Sequence, residues 1–237
     1  MHYAILAGMK LALTFILVLI AFCPLPGAGA ESAQYWHDQG RQLSLNGSFK
    51  EAIASYDKSL DLEPSNEKVL IDKGLALSNL AKFEEAIKFF DQALKLNSSN
   101  AEAWYFKGMA QTLGLAEYEV GISSLDQALA LNPRYYDAWM NRGLALDKAG
   151  KPEQALDSFD QALQINPLDP IGWNNKGVVL RELGRFQEAL ASFDKALLID
   201  PTYKIAQGNR EATLQDLNQD DPYELDNMLW RAHSYDG

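Results

Sequence analysis

Gly40, Gly74, Gly108, Gly143 and Gly177 recur at intervals of 34, 34, 35 and 34 residues. Four residues before each stands Trp36, Leu70, Trp104, Trp139 or Trp173. Twelve residues after four of them stand Ala52, Ala86, Ala155 and Ala189. Four further on come Tyr56, Phe90, Phe159 and Phe193, each followed directly by an aspartate. Pro64, Pro133, Pro167 and Pro201 close four of the units. Five copies in one register constrain the chain more than any local motif. A unit of this length cannot bury its apolar face alone, so the copies must stack on one another.

Each unit reads as two helices. In 136–169, Trp139, Gly143, Ala145 and Leu146 share one face. Ala155, Leu156, Phe159, Ala162, Leu163 and Ile165 then keep the helical period until Asn166-Pro167 ends it. The glycine lets the partner helix approach closely, and the Ala-x-x-x-aromatic pair supplies small and large complementary surfaces. Gly47, Gly150 and Gly184 suit a tight turn between the helices.

The pattern resembles the tetratricopeptide repeat family, W-x2-L-G-x2-Y…A-x3-F…P over about 34 residues. The resemblance covers 33–66, 67–100, 101–135, 136–169 and 170–203. It implies an all-α fold, an α-α superhelix of five helix-turn-helix units, with a capping helix over 204–218 and an acidic, aromatic tail over 219–237. The residue before each glycine departs from leucine: Gln39, Lys73, Lys107, Arg142 and Lys176. Repeat three departs most, with one extra residue before Tyr118, Gly121 for alanine and Leu125 for the aromatic, and is expected to be the softest unit. In the tail, Asp221-Pro222-Tyr223-Glu224 has a helix-start signature, followed by Leu225, Met228, Leu229 and Ala232 on one face.

Charge and cysteine count exclude several classes. The 237 residues hold 21 Lys+Arg against 32 Asp+Glu, a net charge of -11 without a basic run. That balance lacks the footprint of a nucleic-acid binder or of a polybasic lipid-binding segment. Cys23 is the one cysteine and there are three histidines, so no metal site, cofactor or cysteine nucleophile is expected. The repeats leave no room for a catalytic domain, and no enzyme is expected. Asp57, Asp91, Asp126, Asp160 and Asp194 occupy one repeat position, which points to a structural role. His37 reads as a partly exposed end-of-stack residue.

Residues 1–30 read as a processing or anchoring segment. Lys10 precedes the apolar run Leu11 to Phe22, and Ala28-Gly29-Ala30 follows Pro24 and Pro26. This describes a secretory signal peptide cut after Ala30 and hence an exported protein. The alternative is an uncleaved membrane anchor, a tether through residues 4–23.

By the resemblance, function sits on the concave face, on positions 2, 5, 9 and 12 of each first helix. Positions 5, 9 and 12 place Arg41, Ile71, Leu75, Tyr105, Met109, Met140, Leu144, Asn174, Val178 and Arg181 in a peptide-binding groove, apolar along its middle. Chaperone-binding members carry a Lys/Asn/Arg clamp for a C-terminal carboxylate; Arg41 stands here without its companions. The expected function is a scaffold that holds a protein or peptide partner. The alternative is self-assembly through groove, tail or stack ends.

Overall fold

The computed structural model describes residues 31–220, and these form eleven helices and no strand. Five antiparallel pairs follow the repeats: α1 (Ala33–Leu45) and α2 (Phe49–Leu62), α3 (Glu67–Asn79) and α4 (Phe83–Leu96), α5 (Ala101–Met109) and α6 (Tyr118–Leu131), α7 (Tyr136–Lys148) and α8 (Pro152–Ile165), α9 (Pro170–Glu182) and α10 (Phe186–Ile199). Helix α11 (Lys204–Asp220) covers the last pair and runs past the expected end at 218. Among the described residues no helix is long and apolar enough to cross a membrane. The segment 1–30, with both of its readings, and the amphipathic stretch from Asp221 lie outside the described residues.

The glycine-aromatic pair sets the spacing within each unit. A Cβ on Gly74, Gly143 or Gly177 would stand 2.6, 2.7 and 2.6 Å from the ring of Phe90, Phe159 and Phe193. Those rings and the alanines one turn before them have no exposed surface. The first helices start on side-chain caps: Ser32, Asn66, Asn100 and Asp169 each accept a backbone N–H of the first turn. Between the helices one residue adopts a left-handed conformation. It is Gly47, Gly150 or Gly184 where the sequence suggested a turn, but Ala81 (φ 58°) and Ala116 (φ 56°) in repeats two and three.

The basic residues before the glycines form a ladder. Lys107–Asp91, Arg142–Asp126, Lys176–Asp160 and Arg210–Asp194 lie 2.5–2.7 Å apart, and Lys73 pairs with Asp57 in the same way. Every rung joins the second helix of one unit to the first helix of the next, sixteen residues on. Gln39, in the first of the five units, carries no cation and makes no rung among the described residues. The same cations lie over the tryptophans: Lys107 over Trp104, Arg142 over Trp139 and Lys176 over Trp173, at 5.2–5.7 Å. The tryptophan N–H groups donate to Ser98, Pro133 and Pro167 carbonyls in the preceding loop. Gln207 makes the equivalent bond to Pro201, so the cap keeps both junction devices although Gln207 and Glu211 stand at the tryptophan and glycine positions.

Repeat three absorbs its extra residue as a π-turn over Ala110–Gly114. In the other units a closing bond spans five residues, as from Lys151 N to Leu146 O; here it spans six, from Glu117 N to Gln111 O. Gln111 takes a place held elsewhere by leucine, buried, and its side-chain oxygen accepts from Ser124 Oγ at 2.6 Å. Gly121 is where the second helix presses closest: a Cβ there would overlap the Thr112 methyl and stand 3.0 Å from the Gly108 carbonyl oxygen.

Candidate functional site

The first helix of each unit faces inward, and counting repeat positions along it separates what is buried from what is offered. Position 5 is occupied by His37, Ile71, Tyr105, Met140 and Asn174, and these are only 4–8% exposed. Three of the five are bonded to position 6 of the next unit. His37 Nε2 is 2.6 Å from Asp72 Oδ2, Asn141 Nδ2 donates to Tyr105 Oη at 3.2 Å, and Asn209 Nδ2 donates to Asn174 Oδ1 at 2.9 Å. His37 is therefore an inter-repeat strut and not the partly exposed residue that the sequence suggested. Ile71, Tyr105, Met140 and Asn174 lie beneath the groove and support its floor.

Position 9 supplies the surface. Leu75, Met109, Leu144 and Val178 are half-buried in succession, and Arg41 heads the row exposed. Arg181, at position 12, is tied through Nε to Asp216 Oδ2 of α11 at 2.6 Å. Position 13 of the next turn adds Leu45, Asn79, Leu113, Lys148 and Glu182. At the end of the row, burial and the neighbouring Asp147 carboxylate push the Glu182 carboxyl up, and Lys148 Nζ reaches Asp147 at 3.1 Å.

Cavities open along this face at the junctions between units. One of about 960 Å³, at the loop end of repeats one to three, is bounded by Arg41, Glu63, Glu67, Lys68, Asp72 and Glu102. Between repeats one and two, about 450 Å³ lie among Arg41, Ser44, Phe49, Asp72 and Leu75. Between repeats two and three an apolar cleft of about 260 Å³ is lined by Leu75, Phe83, Phe106, Met109, Ala110 and Leu113. Between repeat five and α11, about 410 Å³ lie against Val178, Arg181, Phe186, Asn209 and Asp216. The groove is thus polar at its loop end and at both ends of the stack, and apolar where repeats two and three meet. Volumes in this range suit peptide side chains and small ligands.

Phe83, Phe106 and Leu113 were not among the residues that sequence reasoning placed in the groove. Positions 6 and 13 are not groove positions of the family pattern, and the apolar Leu113 at a regularly exposed position was one available signal. Phe106 also stands out by type, since position 6 is aspartate or asparagine in the other units: Asp38, Asp72, Asn141, Asn175 and Asn209.

Electrostatics follow the same division. Burial, with Asp137 nearby, pushes the Tyr105 phenol up to about 12. Burial also raises Tyr135, with Tyr105, Glu102 and Asp137 adding to it, and raises Tyr136, which donates to Asp169. These carboxylates make the loop end of repeats three and four negative.

Comparison with known proteins agrees with this architecture. Family models described as tetratricopeptide repeat match residues 43–111, 113–170 and 143–204. The chain is similar to a crystal structure of MamA protein, at 28% identity and TM-score 0.66, covering 73% of this chain and 94% of that one. It is similar to YrrB, described as a TPR protein with an unusual peptide-binding site, at 25% identity and TM-score 0.64, covering 76% and 93%. A MamA structure from Desulfovibrio magneticus RS-1, at 23% identity and TM-score 0.68 over 74% and 98%, shares the fold. No curated protein matches the chain.

Proposed function

This chain belongs to the tetratricopeptide repeat family, whose fold is that of a protein-interaction scaffold, and we propose that it holds an extended peptide segment of a partner protein along its concave groove. The observation that carries this is the row Leu75, Met109, Leu144 and Val178, half-exposed in four successive units, with cavities against Leu75 and Met109 and against Val178. Apolar side chains including a methionine adapt to varied apolar partners, and desolvated pockets supply anchors. Arg41, the half-exposed Arg181 and the Asp147–Glu182 pair would frame the ends. Similarity to YrrB supports the reading, because that protein carries a peptide-binding site on the same fold. The test is fluorescence anisotropy with peptides selected from a displayed random library. Leu144→Asp should weaken binding about tenfold or more, from the lost burial of one apolar side chain. Binding unaffected by that change would place the partner elsewhere.

Export belongs to the same proposal. The apolar run Leu11 to Phe22 and the small-residue site Ala28-Gly29-Ala30 support cleavage after Ala30. N-terminal sequencing of the cell-envelope or secreted protein should read Glu31 first; intact Met1 in membranes would establish the anchor instead.

Self-assembly is the second reading, and one observation favours it. Leu168 at the end of the fourth repeat, Ile171 and Leu198 in the fifth and Ile205 at the start of α11 are exposed large apolar side chains. Mass that rises with concentration, and falls back on Leu198→Ser, would support it.

A further inference from the structure

The one groove feature that breaks the repeat pattern is the cleft at the junction of repeats two and three. We propose that this cleft receives a single bulky apolar side chain, and that the residues beside that anchor in the bound peptide are lysine or arginine. The inference rests on the groove reading above and names the chemistry of the ligand.

The cleft follows from residue types at two repeat positions. Position 13 is exposed in every unit, and here it is Leu113, 59% exposed, inside the π-turn that follows Met109. Phe106 supplies a ring where the other units have aspartate or asparagine, and Phe83 and Leu75 close the other wall. About 260 Å³ is available. An apolar cavity of about 150 Å³ already admits a benzene-sized group, so this cleft suits a leucine or phenylalanine side chain. No other unit is apolar at both position 6 and position 13, so the pocket is specific to this junction.

Charge fixes what flanks the anchor. Each of the two first helices that wall the cleft carries a carboxylate one turn before its apolar lining residue. Asp72 precedes Leu75 by three residues and Glu102 precedes Phe106 by four, spacings that share a helix face. Both carboxylates bound the adjoining large cavity, where Glu63 and Glu67 join them and only Arg41 and Lys68 oppose. One helical turn is about 5.4 Å. An extended peptide covers that in one or two residues at about 3.3 Å each.

The same charges weigh against occupants from this chain. The stretch 221–237 holds Asp221, Glu224, Asp226 and Asp236 against Arg231, and a second copy brings a net charge of -11. Both approach a negative ledge with the wrong sign.

The experiment is a peptide-display selection on the full chain, followed by anisotropy of the recovered peptides on Leu113→Asp and Glu102→Lys. Leu113 and Glu102 are exposed, so both variants keep the fold. Recovered peptides should share a bulky apolar residue with lysine or arginine within two positions. Leu113→Asp should weaken them about tenfold or more; Glu102→Lys should weaken them several-fold and flatten the salt dependence. Peptides that bind Leu113→Asp as tightly as the parent would overturn the cleft assignment while leaving the groove reading in place. Best binding by acidic-flanked peptides, or by a synthetic 221–237 peptide, would overturn the basic-partner chemistry. Failure to recover any peptide would overturn both.

Discussion

A Cβ on Gly121 would overlap the γ-methyl of Thr112, which ties together two departures of repeat three from the pattern. The extra residue winds Ala110–Gly114 into a π-turn, and Thr112 then occupies the space that an alanine at 121 fills in other units. Glycine in a helix costs about 1 kcal/mol against alanine, so Gly121→Ala should stabilise if only propensity mattered. Here it should destabilise by about 1–3 kcal/mol, the cost of overpacking. Thr112→Ser removes the methyl and keeps the Oγ1 bond to the Gly108 carbonyl, so it should recover much of that loss. Urea unfolding of both single variants and the double decides it. Additive effects would contradict the coupling.

The two alanines with positive φ are the converse case. Ala81 and Ala116 sit where three other units use glycine, and the left-handed conformation costs an L-residue about 1–2 kcal/mol. Ala81→Gly should raise stability by about 0.5–1 kcal/mol after the added flexibility of the unfolded chain is counted. An unchanged or lowered unfolding midpoint would contradict the strain.

The recurrent aspartates should matter little one at a time. Lys176–Asp160 is a partly exposed pair, and such pairs contribute about 0–1 kcal/mol. Asp160→Asn should cost less than about 1 kcal/mol, whereas Phe159→Ala, removing a fully buried ring, should cost about 3–5 kcal/mol. Equal losses would mean that the ladder and not the core sets the stability of each junction.

Alkaline pH should unfold the stack through its tyrosines. Tyr105 has an ordinary value of 10.0 when unfolded and about 12 when folded. Below about pH 10 both states keep the proton and stability is whole. Between about pH 10 and 12 only the unfolded phenol ionises, so stability falls by about 1.4 kcal/mol per pH unit per such group. Tyr135 is raised in the same direction and adds to the slope. Tyr105→Phe should flatten the decline in an unfolding series followed by tyrosine absorbance. An unchanged slope would contradict the burial of the phenol.

The helix pairs and the glycine-aromatic contacts were legible in the sequence because the 34-residue period and the helical period agree at every unit but the third. The ladder was half legible. The aspartates read as structural, but Lys73, Lys107, Arg142 and Lys176 looked like tolerated substitutions, since their partners lie sixteen residues back across a repeat boundary. The burial of His37, Tyr105 and Asn174 was hidden for a related reason: their partners, at position 6, come from the following unit. The cleft was least legible. Phe106 shows as the odd residue type at position 6, but its meeting with Leu75, Phe83 and Leu113 in one cleft depends on how successive units pack.

The central claim is that the inner face of the first helices holds a peptide, and methionine methyl resonances test it most directly. Met109 lines the groove surface, while Met140 lies under it at 8% exposure. On titration of the methyl-labelled chain with a selected peptide, the Met109 signal should shift and saturate with the anisotropy curve, and Met140 should move much less. A peptide that binds while Met109 stays unmoved would contradict the account.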